Sequence, residues 1–396
     1  MIAVGEAIAR IVAAFAPLPG VRVPIADAAG RVLAEEVVAL MNQPPDPVSS
    51  MDGYALRAAD AATPGARLKV VGAAPAGHPY HGILGPGEAV RIFTGGVVPE
   101  GADAILIQED AEASGNQVVF QVAAQAGRHI RVAGLDFKAG EVLATAGQRL
   151  SARDLSLIAA GDVGHVKVRR KPRVAFAATG DELSVPGASR QPGGIVASSG
   201  YALAAMIERW GGSAIDLGIV PDTAQAVASI ADRTTDADLI VTMGGASVGE
   251  HDLVQKALGP RGFELDFWKI AIRPGKPLIF GRLDKTPLLG LPGNPVSTLV
   301  CAMLFLKPAI AAMLGAPNDT EAATATLAGD LKANDGRQDY MRAKIELRNG
   351  ERFALPFAVQ DSSMMSILAR ADALIVRPPQ APAAKAGESV PILFLE

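Results

Sequence analysis

Apolar residues in the middle of the chain follow two alternating spacings. Short continuous apolar runs, such as Val174–Ala178 and Leu239–Met243, are typical of buried strands. Between such runs the apolar residues recur three and four positions apart, as on one face of a helix. The run at 201–210 has this spacing at four positions: Leu203, Met206, Ile207 and Trp210. This alternation predicts a doubly wound, mostly parallel α/β domain.

The flanking segments have other patterns. Residues 1–16 predict an amphipathic helix, and a short helical turn is expected over 25–35. From 48 to 137 glycine and proline interrupt short apolar runs, which predicts a β-rich unit. A helix over 152–160 with Ser151 as its cap follows. Beyond a polar joint at 317–325, short strand-like segments predict a small β barrel.

Composition and charge exclude some classes of protein. Hydrophobic residues make up 49% and charged residues 20% of the chain, as in globular proteins. A net charge of −4 argues against a protein that coats nucleic acid. The single cysteine, Cys301, predicts core packing and a reducing, cytoplasmic location. No run of 18 apolar residues lacks a charge, so we expect no membrane span, and the basic run at 167–173 predicts a solvated edge or linker.

The segments that follow the predicted strands carry glycine and acidic residues. Ligands of doubly wound sheets bind at the carboxyl ends of the strands, so we expect these loops to share one edge. The four loops are Thr179–Glu182, Pro221–Asp222, Gly244–Asp252 and Pro292–Ser297. The edge is therefore expected to combine open backbone N–H groups with carboxylates.

The loop at 293–297 has the composition of an oxyanion site. Asn294 is expected to cap a helix whose first residue is Pro295, and Ser297 then falls in the first turn. Free N–H groups and the helix dipole favour an anion there. An ordinary capped helix explains the same residues, and the sequence leaves both interpretations open.

Three acids of the edge predict a divalent cation. Glu182, Asp222 and Asp252 would repel one another beside an anion site, and Mg²⁺ would relieve this by binding carboxylate and phosphate oxygens together. The alternative is three unrelated loop acids that face water.

A cationic segment completes the predicted site. Lys269, Arg273 and Lys276 lie within eight residues, and Pro274-Gly275 forces a turn between the last two. Two cations near one point suit a small dianion. Lysines on an exposed turn are the simpler alternative.

Together these motifs resemble the molybdopterin molybdotransferase family, which includes the E domain of gephyrin. The matching segments occur in the family's order along essentially the whole chain: Ser49–Ala55, Ile92–Gly95, Pro99–Asp103, Thr179–Leu183, Gly244–Asp252, Trp268–Pro277 and Gly290–Ser297. The resemblance implies a discontinuous helical domain (1–43 and 138–170), an inserted β-rich domain (44–137), an α/β domain (171–316) and a C-terminal β barrel (317–396). It also implies a cytoplasmic homodimer whose active site includes the partner's inserted domain.

The reaction that the resemblance implies uses adenylated molybdopterin, molybdate and Mg²⁺. The dithiolate captures molybdenum, the phosphoanhydride is cleaved and AMP leaves. The implied catalytic residues are Asp52, Glu182, Asp222, Asp252 and Lys269, of which Glu182, Asp222 and Asp252 also hold Mg²⁺. The implied pterin-nucleotide residues are Thr94, Asp136, Gly244, Gly245, Ser247 and Gly249. The implied molybdate residues are Arg273, Lys276, Ser297, Arg342 and Ser362.

Some positions depart from the family pattern. Arg273 and Ser199 stand where the family usually has lysine and asparagine, and Gly96-Val97 replaces Ala-Pro. Whether the protein uses tungstate in place of molybdate therefore stays open.

Two other functions are alternatives to this transferase reaction: adenylation of molybdopterin, and a non-catalytic scaffold. The expected protein partners are the adenylyltransferase and molybdoenzyme chaperones, each in transient contact.

Overall fold

The chain folds into two compact units. The computed structural model describes residues 1–244, 256–318 and 322–395. One unit comprises residues 1–21 and 169–396, and the other comprises residues 22–168. The four domain boundaries given above stay a prediction.

A six-stranded sheet forms the centre of the first unit. Its spatial order is Ser213–Val220, Arg173–Thr179, Leu239–Met243, Thr286–Leu291, Ile279–Leu283 and Phe263–Trp268. The first four strands are parallel to one another, Ile279–Leu283 runs antiparallel to them, and Phe263–Trp268 pairs antiparallel with Ile279–Leu283. The helices that cover this sheet include Ser199–Arg209, Ala224–Arg233 and the run from Pro295 to Leu314. The predicted α/β class is confirmed.

The run from Pro295 to Leu314 is a core helix. It consists of the α-helices Pro295–Cys301 and Lys307–Leu314, joined by a π-helical turn at Ala302–Leu306. Pro308 follows the turn; it lacks an N–H group and its ring clashes with the preceding turn, so the hydrogen-bond register must shift there. Length and composition would let this run cross a membrane, but 83% of it is buried inside the protein.

A closed β barrel follows the α/β layer. Its five strands are, in order around the barrel, Gln338–Arg348, Glu351–Pro356, Ala322–Leu327, Ser389–Phe394 and Ala373–Arg377, and the last pairs with the first. The short strand Ile272–Arg273 extends this hydrogen bonding from the α/β layer. The barrel is confirmed, but the joint predicted over 317–325 was wrong at its end, because a strand begins at Ala322. A helical turn, Met365–Leu368, lies between the barrel strands.

The N-terminal helix Val4–Ala13 belongs to the first unit. Its buried residues are Val4, Ala7 and Ile11, one helical turn apart, so the predicted amphipathic helix is confirmed. Leu18 continues the contact with the core helix by donating its backbone N–H to the carbonyl oxygen of Met313 at 2.7 Å.

The second unit contains its own six-stranded sheet. The spatial order is Ala104–Ile107, Gly53–Leu56, Glu88–Ile92, Arg67–Ala74, Gln117–Phe120 and Ala111–Ser114. The helix Ala152–Ala160 begins at Ser151, which exchanges hydrogen bonds with Asp154 in a capping box, as the sequence predicted. The helical turn expected over 25–35 was wrong beyond Asp27, because only Ile25–Asp27 forms a 3₁₀ turn.

Short elements complete the described part of the chain. The short strands are Gly20–Pro24, Val37–Val38, Val48–Ser49, Ile130–Arg131, Val142–Ala144, His165–Arg169, Leu183–Ser184 and Ile195–Val196. The further 3₁₀ turns are Ala58–Ala61, Gln108–Asp110 and Gly259–Arg261.

Candidate functional site

A cavity of about 780 Å³ opens at the carboxyl edge of the parallel strands. Glu182 and Gly244, each just past the end of a strand, contribute to its wall, as does the loop at 292–297. The cationic segment and the barrel loop at 360–362 complete the lining. The cavity lies where parallel topology places a ligand site.

The cationic turn lines this cavity. Lys269, Arg273 and Lys276 all contribute to the wall. Gly275 adopts φ +107°, and a Cβ there would lie 2.3 Å from the Sγ atom of Cys301. Glycine is therefore required for the turn to approach the core helix. The ammonium of Lys276 has no ion-pair partner in the described ranges, and it remains available to a ligand.

Arg273 differs from Lys276 because two carboxylates neutralise its charge. Its guanidinium pairs with Asp335 and, at 3.1 Å from Nη1, with Asp339. Hydrogen bonds from Arg337 lower the pKa of Asp335 to about 2, while burial raises the pKa of Asp339. Arg337 also lines the cavity. No motif predicted a role for Arg337, because it lies in a polar loop before a barrel strand.

Lys269 lies in an unusual backbone conformation. Its φ of +71° is in the left-handed region, a conformation that costs a non-glycine residue roughly 1–3 kcal/mol. Residues strained in this way cluster at functional sites. The ammonium lies 3.6 Å from the centre of the Trp268 ring. A cation over an aromatic face is stabilised by the ring quadrupole, so the side chain has a defined position.

The helix that begins at Pro295 brings a serine to the cavity. Ser297 is only 4% exposed and lies in the first helical turn, as predicted. Asn294 occupies the cap position before Pro295, as predicted, but its side chain makes no capping hydrogen bond. Its side chain donates instead to the Oγ atom of Ser362 at 3.0 Å, and the N–H of Val296 donates to the Ser362 carbonyl oxygen at 3.2 Å. Two bonds to one barrel residue thus replace the side-chain cap.

Arg342 lies behind the barrel loop and does not line the cavity. It is 1% exposed, and burial lowers the pKa of its guanidinium. Its Nη2 atom donates to the carbonyl oxygen of Asp361 at 3.0 Å, and its backbone N–H donates to Gln360 Oε1 at 2.9 Å. Ser362 lines the cavity as predicted. The structure therefore gives Arg342 a supporting position next to the loop that presents Ser362.

Replacing Arg342 by methionine is expected to destabilise the fold by about 1–3 kcal/mol, because the Asp361 carbonyl in the loop loses its charged donor. A denaturant titration measures this loss. Arg370→Met serves as a control, since that arginine is exposed and its side chain donates to the local carbonyl oxygen of Ser366 at 3.0 Å. Equal unfolding midpoints for the two variants would contradict the supporting position.

The predicted carboxylates divide into three cases. Glu182 lines the cavity. Asp222 lies beyond the neighbouring strand, where its backbone N–H donates to Asp181 Oδ1 at 3.0 Å, and it does not contribute to the wall. Asp252 lies outside the described residues. Among the residues that the structure describes, no group of three or more His, Cys, Asp or Glu side chains is placed to hold a metal ion.

The glycine loop is described only at its start. Gly244 adopts φ +94°, and a Cβ there would lie 2.7 Å from the carbonyl oxygen of Thr179, so the two strand ends approach closely only with glycine. The remaining predicted residues of this loop, Gly245, Ser247 and Gly249, lie outside the described residues.

Three predicted residues belong to the second unit. Asp52 Oδ1 accepts hydrogen bonds from the N–H and the hydroxyl of Thr94, both at 2.8 Å, and these bonds lower the pKa of Asp52. Asp136 lines a separate cavity of about 460 Å³, to which Gly95 and Arg131 also contribute. The structure thus pairs Asp52 with Thr94. It places Asp136 in a cavity whose lining includes Gly95, the residue after Thr94.

The basic run at 167–173 forms no open anion surface. Its charges are offset by carboxylates or bonded to backbone: Lys167 with Glu35, Arg169 with the Leu18 carbonyl, Arg170 with Asp238, Lys171 with Glu208 and Arg173 with Asp236. The prediction of a solvated edge is confirmed.

Three known sequence families match consecutive parts of the chain. "MoeA N-terminal region (domain I and II)" matches residues 2–161, and "Probable molybdopterin binding domain" matches residues 175–312. "MoeA C-terminal region (domain IV)" matches residues 324–395.

Curated relatives match over most of their length. The molybdopterin molybdenumtransferase of Nostoc sp. is 34% identical over 377 residues, which cover 92% of this chain and 86% of that protein. Molybdopterin molybdenumtransferase 2 of Mycobacterium tuberculosis is 36% identical over 341 residues, 83% of this chain and 84% of that protein. Among solved structures, a molybdopterin biosynthesis MoeA protein from Pyrococcus horikoshii superposes with a TM-score of 0.87 at 30% identity, covering 100% of this chain and 99% of that one.

Proposed function

This chain belongs to the molybdopterin molybdenumtransferase family, enzymes of molybdenum cofactor biosynthesis, and we propose that it inserts molybdate into adenylated molybdopterin and releases AMP. The observation that carries the proposal is the convergence of Lys276, Ser297 and Ser362 on one cavity. Molybdate is a tetrahedral dianion, and an ammonium, two hydroxyls and a helix start match its charge and its acceptor oxygens.

Each of these groups has a separate role in the proposal. Lys276 neutralises one charge of the dianion, because no described acid competes for its ammonium. Ser297 donates from a nearly buried position at the helix start, where the helix dipole also favours an anion. Ser362 is held beside this helix start, because it accepts hydrogen bonds from Asn294 and Val296.

The acidic side of the cavity is proposed for Mg²⁺ and the pyrophosphate. Glu182 offers the hard oxygen ligand that Mg²⁺ prefers, and it lines the same cavity as the cations. Asp222 and Asp252 are the further ligands we propose. When bound, Mg²⁺ would screen the phosphate charge as the P–O bond breaks. Lys269 lines the same cavity beside Trp268, and we propose that its ammonium stabilises the same phosphates.

The second unit is proposed to contribute Asp52, Thr94 and Asp136 to the pterin-nucleotide side, from the partner subunit of a cytoplasmic homodimer. The lowered pKa of Asp52 keeps this carboxylate ionised. Thr94 already orients one of the two carboxylate oxygens. The other oxygen can then accept from a substrate N–H or bind a metal.

AMP release tests the function directly. Purified protein with adenylated molybdopterin, Mg²⁺ and molybdate is expected to release one AMP per pterin, and EDTA is expected to stop the release. The same protein with ATP and free molybdopterin is expected to form no adenylated product, which separates this reaction from the adenylyltransferase. No AMP release by protein that demonstrably binds the adenylated pterin would reject the proposal.

Asp52→Ala is expected to lower kcat by roughly 10²-fold, because a residue that orients substrate or metal acts mainly in the transition state. The thermal midpoint is expected to stay near that of the wild type, since the carboxylate is solvent-accessible and, among the described residues, accepts hydrogen bonds only from Thr94. Asp27→Ala is a matched control, because that exposed acid lies in the same unit away from Thr94. A twofold loss or less in Asp52→Ala would argue against the assignment, as would equal losses in both variants.

A further inference from the structure

The backbone of Lys269 is held at both ends by hydrogen bonds. A non-glycine residue at φ +71° persists only where its surroundings fix the flanking peptide groups. The N–H of Lys269 donates to the carbonyl oxygen of Leu278 at 3.3 Å, within the same hairpin. Its own carbonyl oxygen accepts from the N–H of Ile2, also at 3.3 Å. One of the two restraints on this residue thus comes from the beginning of the chain.

Ile2 forms a second bond to the same segment. It bridges Ile270 in parallel register, and its carbonyl oxygen accepts from the N–H of Ala271 at 2.9 Å. The carbonyl of Ala271 in turn accepts from the N–H of Gln338, in the first barrel strand, at 2.8 Å. Ile2 and the first barrel strand therefore both fix the segment that carries Lys269.

The N-terminal segment is itself anchored near Lys269. Arg10, one turn before the end of the N-terminal helix, pairs with Asp266 and lies 5.3 Å from the centre of the Phe267 ring. The apolar face of the helix is buried on its other side. Because the helix contacts residues two and three positions before Lys269, Ile2 has little freedom to leave its bridge.

We propose that the main chain of Ile2 is a positioning element for Lys269: it holds the left-handed backbone that places the ammonium over Trp268 at the cavity wall. This inference rests on the proposed function, in which Lys269 acts on the substrate phosphates. Removing the Ile2 N–H frees the Lys269 carbonyl, and the ammonium leaves its working position. The rest of the cavity wall is expected to stay in place, because Ile2 does not line the cavity.

Ile2→Pro removes the N–H donor, whereas Ile2→Val keeps the donor and a similar side chain. In full-length protein, Ile2→Pro is expected to lower kcat for AMP release roughly tenfold, in the range that a small misplacement of a catalytic group produces. The KM for adenylated molybdopterin is expected to stay within twofold. Hydrogen exchange at Ala271 is expected to accelerate, while exchange in the strand Leu239–Met243 is unchanged. Ile2→Val is expected to match the wild type in all of these measurements.

Arg10→Gln provides a second variant, because it loosens the helix anchor at an exposed position without altering Ile2. It is expected to shift kcat and Ala271 exchange in the same direction by a smaller factor. Unchanged Ala271 exchange in Ile2→Pro, or faster exchange with an unchanged kcat, would overturn the proposal. A wild-type protein that releases no AMP would instead refute the proposed function, and the exchange data would still show whether Ile2 restrains the segment.

Discussion

Lys276→Met is expected to lower kcat/KM for molybdate roughly 10- to 150-fold, because a hydrogen bond to a charged group contributes about 1.5–3 kcal/mol. Methionine keeps most of the side-chain volume, and the wild-type ammonium has no ion-pair partner in the described part of the chain. The thermal midpoint is therefore expected to change little. Initial rates of AMP release over a range of molybdate concentrations measure the effect, which should appear mainly in KM.

Lys285→Met is the matched control for this prediction. Lys285 is exposed in the hairpin turn between Ile279–Leu283 and Thr286–Leu291 and does not line the cavity. Its variant is expected to keep wild-type kinetics. If Lys276→Met retained at least half of the wild-type kcat/KM, the anion site would not depend on this cation, and the proposed position of molybdate would be incorrect.

Gly275→Ala is expected to lower the free energy of unfolding by about 2–5 kcal/mol, for two independent reasons. The φ of +107° strains any residue with a side chain, and the added Cβ would meet Cys301 Sγ at 2.3 Å. The turn must then move away from the core helix, and Lys276 moves with it. A large loss of AMP release is therefore expected together with a lower unfolding midpoint.

The double variant Gly275→Ala/Cys301→Ala separates the two reasons. Removing the sulfur relieves the close contact but leaves the backbone strain, so the double variant is expected to be more stable than Gly275→Ala alone. Cys301→Ala by itself measures the cost of the lost packing and completes the double-mutant cycle. Additive effects of the two substitutions would show that the contact with Cys301 contributes nothing to the requirement for glycine.

Periodic features of the chain were predictable from the sequence because they depend on local spacing. The apolar run Leu239–Met243 is a buried central strand, and Ser151 with Asp154 forms the predicted capping box. Parallel strands end at a common edge, so the sequence alone could assign Glu182, Gly244 and Ser297 to one place. The cationic turn followed from Pro274-Gly275, whose conformational limits are local as well.

Contacts between distant segments were not predictable in the same way. Asparagine is a residue type typical of helix caps, but the side chain of Asn294 donates a hydrogen bond to the barrel residue Ser362 instead. Arg273 pairs with Asp335 and Asp339, more than sixty residues away, and nothing in its own segment indicates this. Ile2 likewise reaches Lys269 only through the fold. These side chains respond to partners that tertiary structure supplies, which propensity and spacing do not encode.

Burial of the core helix has a consequence for sulfur chemistry. Cys301 is the chain's one cysteine, it is fully buried, and burial raises the pKa of its thiol. A thiolate is the form that ligates soft metals and attacks electrophiles. In the proposed reaction, the two sulfurs of the substrate would therefore bind molybdenum without competition from this cysteine.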